Sequence, residues 1–142
     1  YDFEGNNELK AFAKEYAEAN KLKIYSINDT YPRLYADRNF NSAGPCEFLS
    51  LIYNCDAFVS NSFHGTAFSI IFHKPVFVFN RHRHKVNSRM ESLMKLFGLE
   101  YFIINDKIGY EKAMKAEFDF STIDKIMDEK LSVSKLFLKN LL

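Results

Sequence analysis

The chain has 142 residues, 47% hydrophobic and 26% charged, with 15 phenylalanines and 8 tyrosines among them. That length fits one domain with one ordinary core, and the balance excludes a disordered or bilayer-embedded polypeptide. A formal net charge of +1 gives no global pull toward nucleic acid or acidic lipid, so recognition of anions has to come from a local cluster.

The opening Tyr1-Asp2-Phe3-Glu4-Gly5 reads as the end of a strand turning into a loop, and with no initiator methionine the chain is expected to be a fragment of something longer. From Asn7 to Asn20, Leu9, Phe12, Ala13 and Tyr16 recur at helical spacing behind the cap candidates Asn6 and Asn7. Leu22 to Ile27 alternates as a strand does, and Asn28 to Gly44 is polar enough to be one long loop. A second helix starts at Pro45, in the first-turn position where a missing N–H costs nothing, and runs to about Asn54. Strand Ala57 to Ser60, helix Ser62 to Phe72 and strand Pro75 to Phe79 come next. After a basic loop, a helix from Ser88 to Phe97 stops at Gly98, a strand covers Tyr101 to Ile104, and a terminal amphipathic helix runs from Ser121 to Leu142 with Ile123, Ile126, Met127 and Leu131 on its apolar side.

Strands alternating with helices predict an α/β fold: a Rossmann-like parallel sheet with helices on both faces, as one domain over residues 1–142. Open parallel sheets bind ligands at the carboxyl ends of their strands. Here those ends are Asp2 to Asn7, Asn28 to Gly44, Asn61 to Gly65, Asn80 to Asn87 and Asn105 to Tyr110.

Two of these loops stand out chemically. Ser60-Asn61-Ser62-Phe63-His64-Gly65 hands a strand over to a helix, whose first N–H groups and dipole favour a phosphate or carboxylate; Ser62 and Gly65 are small enough for close approach, and His64 lies in the first turn with Ala67, Phe68 and Ile71 continuing its face into the core. Asn80-Arg81-His82-Arg83-His84-Lys85-Val86-Asn87 follows the next strand, so adjacent strands would set its cations beside His64. Arg81 and Arg83 offer a fork to an oxyanion and Lys85 a point charge. Glu47, in the first turn after Pro45, complements the helix dipole and is a candidate for orienting a sugar or the histidine.

Other chemistries fit less well. A zinc site of His64, His82 and His84 is opposed by the interleaved Arg83 and Lys85, and Cys46 and Cys55 form no CxxC pair, so neither metal nor cofactor is expected. No nucleic-acid-binding module, transmembrane run or signal peptide is visible, and Cys46 and Cys55, spaced beyond disulfide reach on a helix, suit a reducing cytoplasm.

Taken together, Gly44-Pro45-x-Glu47-Phe48-Leu49, then Cys55-Asp56-Ala57-Phe58-Val59-Ser60-Asn61-Ser62-Phe63-His64-Gly65-Thr66-Ala67-Phe68-Ser69-Ile70, then Lys74-Pro75 resemble the polysaccharide pyruvyl transferase family, with Ser-Phe-His-Gly as the signature. Lys85-Val86-Asn87-Ser88-Arg89 and Leu96-Phe97-Gly98-Leu99 extend the likeness, roughly over residues 40 to 105. The resemblance implies that this is the second, carboxyl-terminal domain of a glycosyltransferase-B-like fold, with a missing amino-terminal domain supplying the other wall of the cleft, and that the fragment alone is inactive. It also implies phosphoenolpyruvate as donor, and as acceptor a sugar or lipid-linked saccharide on the way to a bacterial exopolysaccharide, at the inner membrane surface where the acceptor is lipid-bound. In the family the signature histidine is held to be catalytic, which maps to His64, and a basic residue after the next strand contacts the donor, for which Arg81, Arg83 and Lys85 compete. Ser62, Gly65, Asn61 and Glu47, read from the residues themselves, complete the candidate binding set. Two other readings stay open: a glycosyltransferase using a nucleotide sugar, and a non-catalytic binding domain of the same fold.

Overall fold

The computed structural model describes residues 1–2, 5–28, 31–81 and 87–140, which form a mixed α/β structure of parallel strands and helices on a Rossmann-like plan. Helix α1 (Asn7–Asn20) starts at Asn6, whose Oδ1 accepts from the N–H groups of Glu8 at 2.9 Å and Leu9 at 3.0 Å. These are donors that any helix leaves unpaired at its start. Lys21, with φ of 56° in the left-handed region, ends it.

Strand β1 (Tyr25–Ile27) begins later than Leu22, and the polar stretch after it is not all loop. Arg38–Phe40 forms β2, parallel to β1, with Tyr25 opposite Arg38 and Ile27 opposite Phe40. Hydropathy could not reveal β2, because backbone and one carboxylate make it: Asp37 N–H donates to Ile24 O at 2.8 Å, and Ile24 N–H donates to Asp37 Oδ2 at 2.7 Å.

Helix α2 (Pro45–Tyr53), strand β3 (Phe58–Ser60), helix α3 (Phe63–Ile71), strand β4 (Val76–Phe79) and helix α4 (Ser88–Leu96) then follow close to their expected limits. The strand expected over Tyr101 to Ile104 is instead a 3-10 turn, Glu100–Phe102, leading into β5 (Ile103–Ile104). The loop expected from Asn105 to Tyr110 is interrupted by α5 (Lys107–Ala113), capped by Asp106, whose Oδ1 accepts from Gly109 N–H at 2.7 Å. Helix α6 (Phe120–Lys139) buries Ile123 and half-buries Ile126 and Met127, but Leu131 is exposed, as is every described residue from Asp128 onward.

The parallel strands form two pieces, β1–β2 and β3–β4–β5, with Ser60 opposite Val78 and Val78 opposite Ile103. All four residues of β4 are buried, as in a central parallel strand covered on both faces. On one face Phe12 of α1 lies 4.9 Å from Phe77 and 5.6 Å from Phe79, ring centre to ring centre. Full burial of such a side chain contributes about 1.5–3 kcal/mol. Phe58, opposite Val76, points to the other face and meets α3 at Gly65. The sheet thereby fixes where α3 begins, and with it the position of His64.

Candidate functional site

Because β3 and β4 are paired, the loops leaving their carboxyl ends lie side by side. Coming off β3, Ser62 N–H donates to Ser60 Oγ at 2.9 Å, and Ser62 Oγ caps α3 by accepting from Gly65 N–H at 3.3 Å. The remaining first-turn donors, the N–H groups of Phe63 and His64, have no acceptor among the described residues. Gly65 is buried, and a Cβ added there would lie 2.6 Å from Phe58 Cε1 and 3.0 Å from Cζ. The space beside this glycine is therefore filled by a ring of β3, which seats the helix on the sheet.

His64 is exposed in the first turn of α3, its ring set edge-on to Phe63 at 5.7 Å. The Arg89 guanidinium stacks 4.8 Å over Phe63 in turn. The helix face expected beneath His64 needs correcting. Ala67 and Phe68 are only half-buried and Ile71 is exposed, whereas Thr66, Ser69 and Ile70 face the core. Gly65 against Phe58 and Thr66 Oγ1 against Met90 Sδ at 3.2 Å lie on that inward face.

Coming off β4, Arg81 donates from Nε to Asn61 O at 3.1 Å, which ties the two loops together. Asn87 clasps the base of the basic loop: its Oδ1 accepts from Arg81 N–H and its Nδ2 donates to Arg81 O, both at 3.0 Å. Arg83 and Lys85, with His82 and His84, lie outside the described residues. Asn61 is buried, its N–H donating to Tyr1 O at 3.4 Å and its Nδ2 to Asp2 Oδ1 at 3.3 Å. Glu47 is exposed in the first turn of α2 with its carboxylate folded toward Gly44, and no hydrogen bond or ion pair among the described residues joins it to His64.

A family model described as polysaccharide pyruvyl transferase matches residues 2–83, more than half of the chain. The chain belongs to the polysaccharide pyruvyl transferase family. The match includes the Ser-Phe-His-Gly turn and Arg81, but it starts well before the motif-bearing stretch and stops short of Asn87. No curated protein matches, and no solved structure does.

In this pyruvyl transferase family member, the strand ends are also joined by residues that the sequence reading did not single out. Asp2, buried, accepts on Oδ1 from Gly5 N–H at 3.0 Å and on Oδ2 from Asn6 N–H at 3.0 Å, while Arg33 Nη2 donates to Asp2 O at 3.0 Å. Asn6 Nδ2 reaches Asn80 O at 3.5 Å, and Asn80 Nδ2 donates to Asn105 Oδ1 at 2.7 Å. A signal was present: an asparagine stands immediately after each strand, at Asn28, Asn41, Asn61, Asn80 and Asn105. Among the described residues no three His, Cys, Asp or Glu side chains converge on a possible metal position, and no helix is long and apolar enough to cross a membrane.

Proposed function

We propose that the protein transfers the pyruvyl group of phosphoenolpyruvate to hydroxyls of a saccharide, forming a pyruvyl ketal, with His64 as the proton donor. One observation carries the reading. Arg81 is bonded to Asn61 O, so a guanidinium from the loop after β4 stands three residues from an exposed imidazole at the start of α3. Family membership supports the reaction class.

In this reading the imidazolium of His64 protonates the methylene carbon of phosphoenolpyruvate. The second carbon becomes an oxocarbenium centre, and a sugar hydroxyl adds to it, releasing its own proton. Phosphate then leaves with the electrons of its C–O bond, and a second hydroxyl attacks and loses its proton to close the ketal. Arg81, joined by Arg83 and Lys85, balances the carboxylate and phosphate charges, and the first-turn N–H groups of α3 add fixed donors to the same region. Ser62, Gly65 and Asn61 act from beneath by fixing where His64 and Arg81 stand, and Glu47 acts at the edge toward α2. The acceptor is a saccharide, reached from the cytoplasm and at the inner membrane face when lipid-linked.

Phosphate release from phosphoenolpyruvate in the presence of saccharide acceptors, followed across pH, tests this. Replacing His64 by Asn should lower the rate about 10²–10⁴-fold and remove one limb of the profile, with circular dichroism unchanged. A variant that keeps both the rate and its pH dependence would remove His64 from the proton-transfer role.

A further inference from the structure

Two loops of this chain are built the same way. At Arg81 the carboxamide of Asn87, six residues on, accepts from Arg81 N–H and donates to Arg81 O. Arg33, in the stretch between β1 and β2, stands in the same frame six residues before Asn39: Arg33 N–H donates to Asn39 Oδ1 at 2.7 Å, and Asn39 Nδ2 donates to Arg33 O at 3.2 Å. Each arginine thus follows the carboxyl end of a parallel strand, β1 or β4, with its own backbone clasped. A side chain held on fixed backbone has less freedom to lose when it meets a ligand.

The two guanidiniums are also anchored side by side. Arg81 Nε donates to Asn61 O at 3.1 Å, and Arg33 Nη2 donates to Asp2 O at 3.0 Å. Asp2 and Asn61 are themselves joined, Asn61 Nδ2 donating to Asp2 Oδ1 at 3.3 Å. Arg33 is half-buried and keeps unused binding capacity. A guanidinium carries five N–H donors, yet Arg33 Nε has no acceptor among the described residues. Its Nη1 borders Gly5, an exposed glycine at φ of 73° with no side chain to cover that flank. The Asp2 carboxylate lies 3.8 Å from Nη2, at the long limit of an ion pair, so it balances part of the charge without a close bond that an incoming oxyanion would have to break.

We propose that Arg33 is a second anion-binding side chain of the site, and that Arg33 and Arg81 each take one anionic group of the same small dianionic substrate. The identity of that substrate rests on the pyruvyl-transfer reading: phosphoenolpyruvate bears its carboxylate and its phosphate ester on one carbon, so its two charged groups stand side by side as the two anchors do. Each guanidinium offers an oxyanion a planar set of charge-assisted donors. Selection for two anionic groups on neighbouring atoms is the expected consequence, because a substrate with one such group engages one arginine only.

Phosphoglycolate tests this, since it carries a carboxylate and a phosphate ester on one carbon but has no enol to react; inorganic phosphate is the probe of a single group. In nuclear magnetic resonance titrations of the full chain, phosphoglycolate should shift the Nε–H signals of Arg33 and Arg81 with one shared affinity. Arg33→Gln should weaken phosphoglycolate about tenfold to hundredfold, the range for hydrogen bonds to charged groups, and inorganic phosphate by less than about threefold. Arg33→Lys, which keeps a cation beside Asp2 and so guards the fold, should recover only part of the loss. Equal losses for both probes would mark a merely structural role and overturn the proposal, as would an Arg33 signal that stays still or an Arg33→Gln variant that binds phosphoglycolate like the parent. Phosphate release from phosphoenolpyruvate is read separately: its absence beside intact two-arginine binding of phosphoglycolate would sink the pyruvyl-transfer reading and support the role of Arg33.

Discussion

Replacing Gly65 by Ala isolates the contact that seats α3. The new Cβ would stand 2.6 Å from Phe58 Cε1, where ordinary contact is 3.4–4 Å, so ring and helix must separate by several tenths of an ångström. Phe58 is buried in β3 and held opposite Val76, and it cannot swing aside as a flexible side chain would. Overpacking of this kind costs about 1–3 kcal/mol. Against it stands the helix preference of Ala over Gly, at most about 1 kcal/mol. The net expectation is a loss of about 1–2 kcal/mol, or roughly 3–8 °C in Tm for a chain of this length. Thermal and urea unfolding would measure it, and trimming the ring with Phe58→Leu supplies the control. The double variant should be more stable than the sum of the singles by about 1 kcal/mol. An unchanged or raised Tm, or strict additivity, would refute the argument that this glycine is set by Phe58.

One further outcome follows from a buried group. Of the two free thiols, Cys46 is exposed while Cys55 is half-buried with its pKa pushed up to about 11, burial outweighing the nearby Lys74. A thiol reagent at pH 8 should therefore label Cys46 more than tenfold faster; equal rates would contradict the packing around Cys55.

Much of this was legible in the sequence, because local rules and tertiary contacts agreed. Asn6, Pro45 and Ser62 mark helix starts through hydrogen-bonding and backbone chemistry that acts within a few residues, and the structure begins α1, α2 and α3 there. The apolar run from Val76 to Phe79 announced a strand covered on both faces. What escaped had no hydropathy to read. Strand β2 is Arg-Asn-Phe, held by backbone and by Asp37. Helix α5 has a cap but buries only Ala113. Helix α3 turns Gly65, Thr66, Ser69 and Ile70 inward through contacts with separate elements, Phe58 of β3 and Met90 of α4 among them, so Ile71 turned outward although its spacing suggested core. At the candidate site His64 and Arg81 could be placed by strand adjacency. The partners of Asp2 and Asn87 could not, because side-chain hydrogen bonds between separate loops leave no periodic trace.

The asparagines that close the strands have a chemical consequence. Carboxamides donate and accept at once, but they neither take up nor release a proton near neutrality. The clasp at Asn87 and the bridges from Asn6 to Asn80 and from Asn80 to Asn105 should therefore keep their bonds across a broad range of acidity, leaving the ground under His64 still while reacting groups change charge.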